Sequence, residues 1–151
     1  MENATMRQIM VVDIDGTLAQ VGPRRRFLET TPVDWDAFYR DAFDDEPIPE
    51  MCRMVCELAK SYEVVFCTSR RETVRQATQL WLRRYLGMEP SSYTLIMRSA
   101  ADSRPEVVSK IDSFNQETTI DERLSVAFVL EDSPAVANGW RLAGYRCLQI
   151  L

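Results

Sequence analysis

Residues 9–18 read IMVVDIDGTL, and this stretch decides the fold. Four apolar residues, Ile9, Met10, Val11 and Val12, run into Asp13 and Asp15, one residue apart, followed by Gly16 and Thr17. A strand buried on both faces of a parallel sheet reads as such an unbroken run. In open α/β sheets ligands sit at the carboxyl ends of the strands. The run therefore predicts that Asp13 and Asp15 emerge side by side at a crevice, with Gly16 letting the chain turn sharply behind them. Two such carboxylates attract a hard divalent cation, with Mg2+ the expected one. One can attack phosphorus while the other handles the proton of the leaving oxygen. An Asp-Gly pair alone is an ordinary turn; the apolar run before it is what makes the pair informative.

Bulk properties narrow the field. The chain has 151 residues, one domain's worth with room for a single core. No apolar run is long enough to span a membrane and the N-terminus shows no signal-peptide pattern, so a cytoplasmic location is expected. Cys52, Cys56, Cys67 and Cys147 are too scattered for a disulfide framework and are expected to pack as small apolar residues. The chain contains no histidine, which removes Ser-His-Asp and Cys-His hydrolases and histidine-based metal sites together. Acid–base chemistry is left to carboxylates, lysine, tyrosine or cysteine. A net charge of −5 argues against a protein that coats nucleic acid. Positive charge is almost all arginine, with Lys60 and Lys110 the only lysines. The cluster Arg24, Arg25 and Arg26, and the pair Arg98 and Arg104, are placed to grip single phosphates of a strand end.

Strand and helix patterns alternate after the first strand. Helices are predicted over 35–43, 47–61, 72–86, 106–115 and 134–142, and further strands over 63–67, 93–97, 126–130 and 145–150. On the helix over 72–86, Val74, Ala77, Leu80 and Trp81 mark the expected apolar positions. This order predicts an α/β fold: one Rossmann-like domain over 1–151, a parallel sheet with helices on both faces, and a small helical insertion at about 19–50. The second strand delivers Thr68, Ser69 and Arg70, and the fourth delivers Glu131 and Asp132. With Asp13 and Asp15 they converge on one crevice, where hydroxyl and arginine donors beside four acids suit metal-assisted phosphoryl transfer. Lys110, after the third strand, is placed to neutralise both the attacking carboxylate and the phosphate.

That order of residues resembles the haloacid dehalogenase (HAD) superfamily of aspartate-based phosphatases, over nearly the whole chain. The resemblance implies Asp13 as nucleophile and Asp15 as general acid/base in DIDGT, Thr68 at the second motif, Lys110 at the third and Glu131-Asp132 at the fourth. It further implies an aspartyl-phosphate intermediate and Mg2+ held by Asp13, the backbone carbonyl of Asp15 and Asp132, with Glu131 in the same acidic pair.

The segments DWDAFYRDAFDDEPIPE, TSRRE, ATQLWL, LIMRSAADSRPEVVSK and NGWRLAGYRCLQI are similar, more narrowly, to the 3′-phosphatase domain of phage-type polynucleotide kinase-phosphatases. That resemblance implies phosphate binding by Arg70, Arg98 and Arg104. Three departures stand out: Ser69 where the family has glycine, Glu131 for the first acid of an Asp-Asp pair, and Ser133 where arginine is frequent. A longer Glu131 side chain shifts the metal or its water ligands, which bears on metal preference. No GxxxxGK[ST] phosphate loop occurs, so a kinase or ligase would be a separate partner.

The short insertion predicts an open site that admits a polymer end. Arg24, Arg25 and Arg26 are expected to hold the next backbone phosphate. Trp35, Phe38 and Tyr39 either stack a terminal base or form a small core under the insertion. The expected activity is removal of a 3′-phosphate from polynucleotide ends or nucleotides. Two alternatives stand beside it: a phosphatase of free nucleoside monophosphates or other small esters, and a weakly active HAD-like protein that binds a partner.

Overall fold

Strand β1, Ile9–Val12, is buried along its whole length and lies at the centre of the sheet. A computed structural model describes residues 6–151. The other strands are β2 (Glu63–Arg71), β3 (Tyr93–Arg98), β4 (Val126–Glu131) and β5 (Cys147–Gln149), in the order β3-β2-β1-β4-β5, and all pairs are parallel. Flanked on both sides and covered on both faces, β1 must be apolar at every position. Met10 and Val12 pack with Phe66, Trp81 and Leu82 on one side of the sheet. Ile9 and Val11 pack with Phe114, Val136 and Trp140 on the other. The expected α/β fold with a central parallel sheet is what the chain forms.

Strand order reverses beside β1: β2 and β3 are added on one side, and the chain then crosses to add β4 and β5 on the other. Ligands of doubly wound sheets bind at such a switch point, outside the carboxyl ends of the strands. Here that crevice lies between Asp13, which follows β1, and Glu131 and Asp132 at the end of β4.

Among the described residues six α-helices accompany the sheet: α1 (Trp35–Arg40), α2 (Pro49–Leu58), α3 (Arg75–Leu86), α4 (Glu106–Glu117), α5 (Ile120–Leu124) and α6 (Pro134–Leu142). Helix α3 starts after a separate 3-10 turn, Glu72–Val74, and buries Thr78, Trp81, Leu82 and Leu86. Leu80 is therefore 49% exposed, contrary to expectation, because it projects from the opposite side of the helix to Thr78. β2 runs past the predicted Cys67 to Arg71, which carries Thr68, Ser69 and Arg70 within the strand. The unforeseen α5 has a readable signal in Thr119-x-x-Glu122. The Thr119 hydroxyl accepts from the Glu122 N–H while the Glu122 carboxylate accepts from the Thr119 N–H.

The segment between β1 and α2 holds a 3-10 turn (Gly22–Leu28), α1 and a second 3-10 turn (Asp41–Asp44). Its two ends are joined, with the Gln20 N–H donating to the Glu46 carbonyl at 2.8 Å and the Ile48 N–H to the Leu18 carbonyl at 2.7 Å. The four cysteines are all unpaired thiols.

Gly139, inside α6, brings that helix against α4. A Cβ there would lie 2.4 Å from Cγ1 of Val107 and 3.0 Å from Cδ1 of Ile111, the residue after Lys110. On a free helix Gly139→Ala would stabilise by about 1 kcal/mol. Here overpacking of about 1–3 kcal/mol opposes it. The expected outcome is a lower urea midpoint for the variant, and a higher midpoint would show that the two helices separate freely.

Candidate active site

Asp13 stays on the sheet although it follows β1, because its N–H donates to the Leu130 carbonyl of β4 at 3.0 Å. Its carboxylate is buried. Lys110, from the first half of α4, reaches under the strand ends and donates to Asp13 Oδ1 at 2.9 Å and to Glu131 Oε2 at 3.0 Å. Glu106, one turn earlier on α4, lies 3.6 Å from the same ammonium. Burial by itself would discharge a lysine; Asp13, Glu131 and Glu106 reverse that and hold Lys110 well above the ordinary lysine range. Thr17, fully buried, sets its single hydroxyl proton between Asp13 Oδ2 at 3.2 Å and Asp132 Oδ1 at 3.3 Å. It braces the two carboxylates and has no surface for the substrate contact expected of it.

Gly16 makes this arrangement possible. Its φ is +83°, and a Cβ would stand 2.1 Å from Oδ2 of Asp132. No other residue satisfies both the turn and the approach of that carboxylate.

Asp13, Glu131 and Asp132 each offer an oxygen within 4.8 Å of the others. Three carboxylates thus face the one ammonium of Lys110. Burial, and then the hydrogen bond and charge of Asp13, push Asp132 up to about 7. Burial and Asp13 likewise raise Glu131, whose two oxygens accept from Lys110 and from the Ser133 N–H. Excess negative charge with hard oxygen donors at this spacing fits a divalent cation.

Asp15 is turned away from this cluster. Its Oδ1 accepts from Arg24 Nη2 at 2.7 Å and from Arg70 Nη2 at 2.8 Å, and its carboxylate accepts from Arg70 Nε at 3.2 Å. Its carboxylate is therefore not among the clustered metal-ligand oxygens. Burial raises its proton affinity, but Arg70 and then Arg24 outweigh that and hold Asp15 below the usual carboxylate range. Asp45 grips Arg24 through two bonds of 2.7 and 2.6 Å.

These contacts correct the reading of the arginines. Arg24 is buried and spends its guanidinium on Asp15, Asp45 and the Phe38 carbonyl, leaving nothing for a backbone phosphate. Arg70 is fully buried between Asp15 and Thr78, so it positions Asp15 and has no open contact for a phosphate. Arg104 is bound to Asp102 and Asp112 at the surface. Arg25 and Arg26 are exposed outside the cleft, with Arg26 beside Asp41. Thr68 is buried and its hydroxyl accepts from the Arg70 N–H at 3.1 Å.

A cleft of about 190 Å³ opens over Asp13 and Asp15. Ser69, Arg98 and Glu106 form its ionic wall, and Leu28, Trp35, Phe38 and Tyr39 its apolar wall. Ser69 donates to Glu106 at 2.9 Å, and Arg98 is steadied by the carbonyls of Asp102 and Arg104. Burial, then the Asp15 charge, push the Tyr39 phenol up to about 12, so it stays a neutral donor. Larger hollows of about 260 and 650 Å³ border the amino ends of the strands, near Glu63 and Tyr93 and near Val126 and Tyr145. None of the clustered carboxylates lines them, and the smaller cleft is the one equipped for chemistry.

Glu106 and Asp45 belong to the site and were not anticipated. Glu106 precedes Lys110 by four residues on one helix, a spacing that places both on one side. Asp45 sits in an acidic run with nothing to distinguish it from Asp44 before folding.

Because Asp132 takes up its proton more readily folded than unfolded, its contribution to stability falls as pH rises from about 4 to 7. Metal-free protein is expected to lose melting temperature across this window, and Asp132→Asn to lose less. A dication should raise the melting temperature more at pH 8 than at pH 5, and equal shifts at both would count against the cluster as its binding site.

The chain matches the family model described as polynucleotide kinase PNKP phosphatase domain over residues 7–151. No curated protein matches it by sequence. A chain of the Pnkp1/Rnl/Hen1 complex superposes with a TM-score of 0.75 at 25% identity, over 98% of this chain and 47% of that one. A chain of the Pnkp1/Rnl/Hen1 RNA repair complex gives 0.78 at 24% identity, over 98% and 43%. The present chain thus spans less than half the length of either. A haloacid dehalogenase-like hydrolase from Streptococcus pneumoniae shares the fold, with a TM-score of 0.61 at 16% identity over 96% of this chain and 85% of that one. The chain belongs to the polynucleotide kinase PNKP phosphatase-domain family and is a HAD-type phosphatase.

Proposed function

We propose that this chain is a Mg2+-dependent phosphomonoesterase that removes a 3′-phosphate from polynucleotide ends or nucleotides through an aspartyl-phosphate on Asp13. The observation that carries the reading is the Asp13 carboxylate at the floor of the cleft, flanked by Lys110 and by the clustered acids Glu131 and Asp132. A carboxylate oxygen of Asp13 bonds to phosphorus as the bond to the ester oxygen breaks, and that oxygen leaves with the proton that Asp15 carries into the step, which leaves Asp15 ionised. Water then attacks the acyl phosphate, Asp15 accepts its proton, and Asp13 returns to a carboxylate. An Asp15 kept ionised by Arg24 and Arg70 suits the second half of this cycle. Asp13, Asp132 and the backbone carbonyl of Asp15 would hold the Mg2+, with Glu131 beside them. The bound ion supplies positive charge against the phosphoryl oxygens. Lys110 supplies charge and orientation to Asp13, while Ser69 and Arg98 face the phosphate from the ionic wall.

In this reading residues 1–151 form one phosphatase domain with a small cap at about 19–50, working in the cytoplasm with a separate kinase or ligase. The match to chains found in RNA repair assemblies supports a nucleic-acid end as substrate.

Asp13→Asn is expected to abolish phosphate release while the protein stays folded, and full activity in that variant would remove Asp13 from the mechanism. A 3′-phosphorylated oligonucleotide should be cleaved in preference to 3′- and 5′-mononucleotides; preference for a 5′-mononucleotide would reassign the substrate to free nucleoside monophosphates. Arg98→Ala should raise KM about tenfold, the loss of one charge-assisted hydrogen bond, with a smaller change in kcat.

A further inference from the structure

The apolar wall of the cleft takes no part in the chemistry assigned to Asp13, Asp15 and Lys110. Its aromatic residues divide into two kinds. Phe38 and Tyr39 are 7% and 8% exposed and form the core under the insertion, whereas Trp35 is 43% exposed at the cleft. The other two tryptophans, Trp81 and Trp140, are fully buried. The Trp35 indole lies nearly parallel to the Tyr39 ring, 20° between planes and 6.1 Å between centroids, and meets Phe38 edge-on at 5.9 Å. Its orientation is therefore set by packing, and Asp34 anchors the start of its helix by accepting the Ala37 N–H at 3.0 Å.

A cleft of about 190 Å³ is smaller than the range of about 300–1,000 Å³ usual for pockets that engulf a ligand. A phosphate and its sugar occupy such a space and leave the base at the mouth. The cleft's lining combines charged and polar groups with aromatic ones, of which Trp35 keeps an open π surface, and this matches the two halves of a nucleotide. We propose that Trp35 is the stacking platform for the nucleobase of the nucleotide whose 3′-phosphate lies at Asp13. The base, and not the phosphate alone, is then part of what the cleft recognises. Stacking tolerates any base, because each has a π face. This inference rests on the phosphomonoesterase reading above.

The test compares two 3′-phosphorylated oligonucleotides, one complete and one lacking the terminal base. Wild-type kcat/KM should favour the complete substrate by roughly 5- to 150-fold. Trp35→Leu, which keeps an apolar contact on Tyr39 and removes the π face, should bring that ratio close to one. Trp35→Phe should retain most of it. No preference in the wild type, or an equal loss on both substrates in the leucine variant, would overturn the platform. Fluorescence separates this failure from failure of the phosphatase reading, since Trp35 is the exposed indole. In the Asp13→Asn protein the complete oligonucleotide should quench emission and the abasic one should not. If the wild type cleaves neither substrate, the phosphatase reading falls. A base-dependent quench then still upholds the platform, and its absence dismisses it.

Discussion

The Lys110 ammonium, buried between Asp13 and Glu131, is the contact on which the rest of the site depends. A buried carboxylate without a partner costs several kcal/mol, and the switch point gathers two of them, Asp13 and Glu131, beside the half-buried Asp132. Lys110 offsets part of that charge and requires α4 to lie close under the ends of β1 and β4. The packing of α6 on α4 through Gly139 serves this requirement. The remaining negative charge is not neutralised by the protein itself. It makes the cluster a seat for a cation and, with the cation bound, for a phosphoryl group.

Next to this unbalanced cluster stands a balanced one. Asp15 and Asp45 face Arg24 and Arg70, two charges of each sign, with each guanidinium shared. The two clusters are separated by one intervening residue of chain, Ile14, yet follow opposite electrostatic logic. Asp13 lies where charge is in excess and a ligand completes it. Asp15 is held in a fixed orientation by partners already present. Two aspartates of one motif thereby acquire different chemistry from their surroundings.

The insertion is fastened to the core and not hung over it. Arg24 near its beginning and Asp45 near its end meet over Asp15, and the Trp81 indole N–H of α3 donates to the Asp45 carbonyl at 2.9 Å. With its ends also joined by backbone bonds, the insertion forms one wall of the cleft. The same tie explains why an arginine cluster legible as a surface patch loses its first member to the interior.

The chain by itself determined the parallel α/β layer, the place of Asp13 and Asp15 at a strand end, and the gathering of Lys110, Glu131 and Asp132 around Asp13. These follow from local pattern: unbroken apolar runs demand burial on both faces, and strand-to-helix order brings strand ends to one edge. Tertiary structure alone decided which charges are spent and which are open. Arg24, Arg25 and Arg26 are adjacent in sequence, yet one is buried in ion pairs and two face solvent; Asp45 is structural and Asp44 is not; Trp35 is open and Phe38 and Tyr39 are covered. Side-chain type and spacing do not encode these outcomes, because each depends on partners from elements far away in the chain, and the energy of a charge depends on who surrounds it.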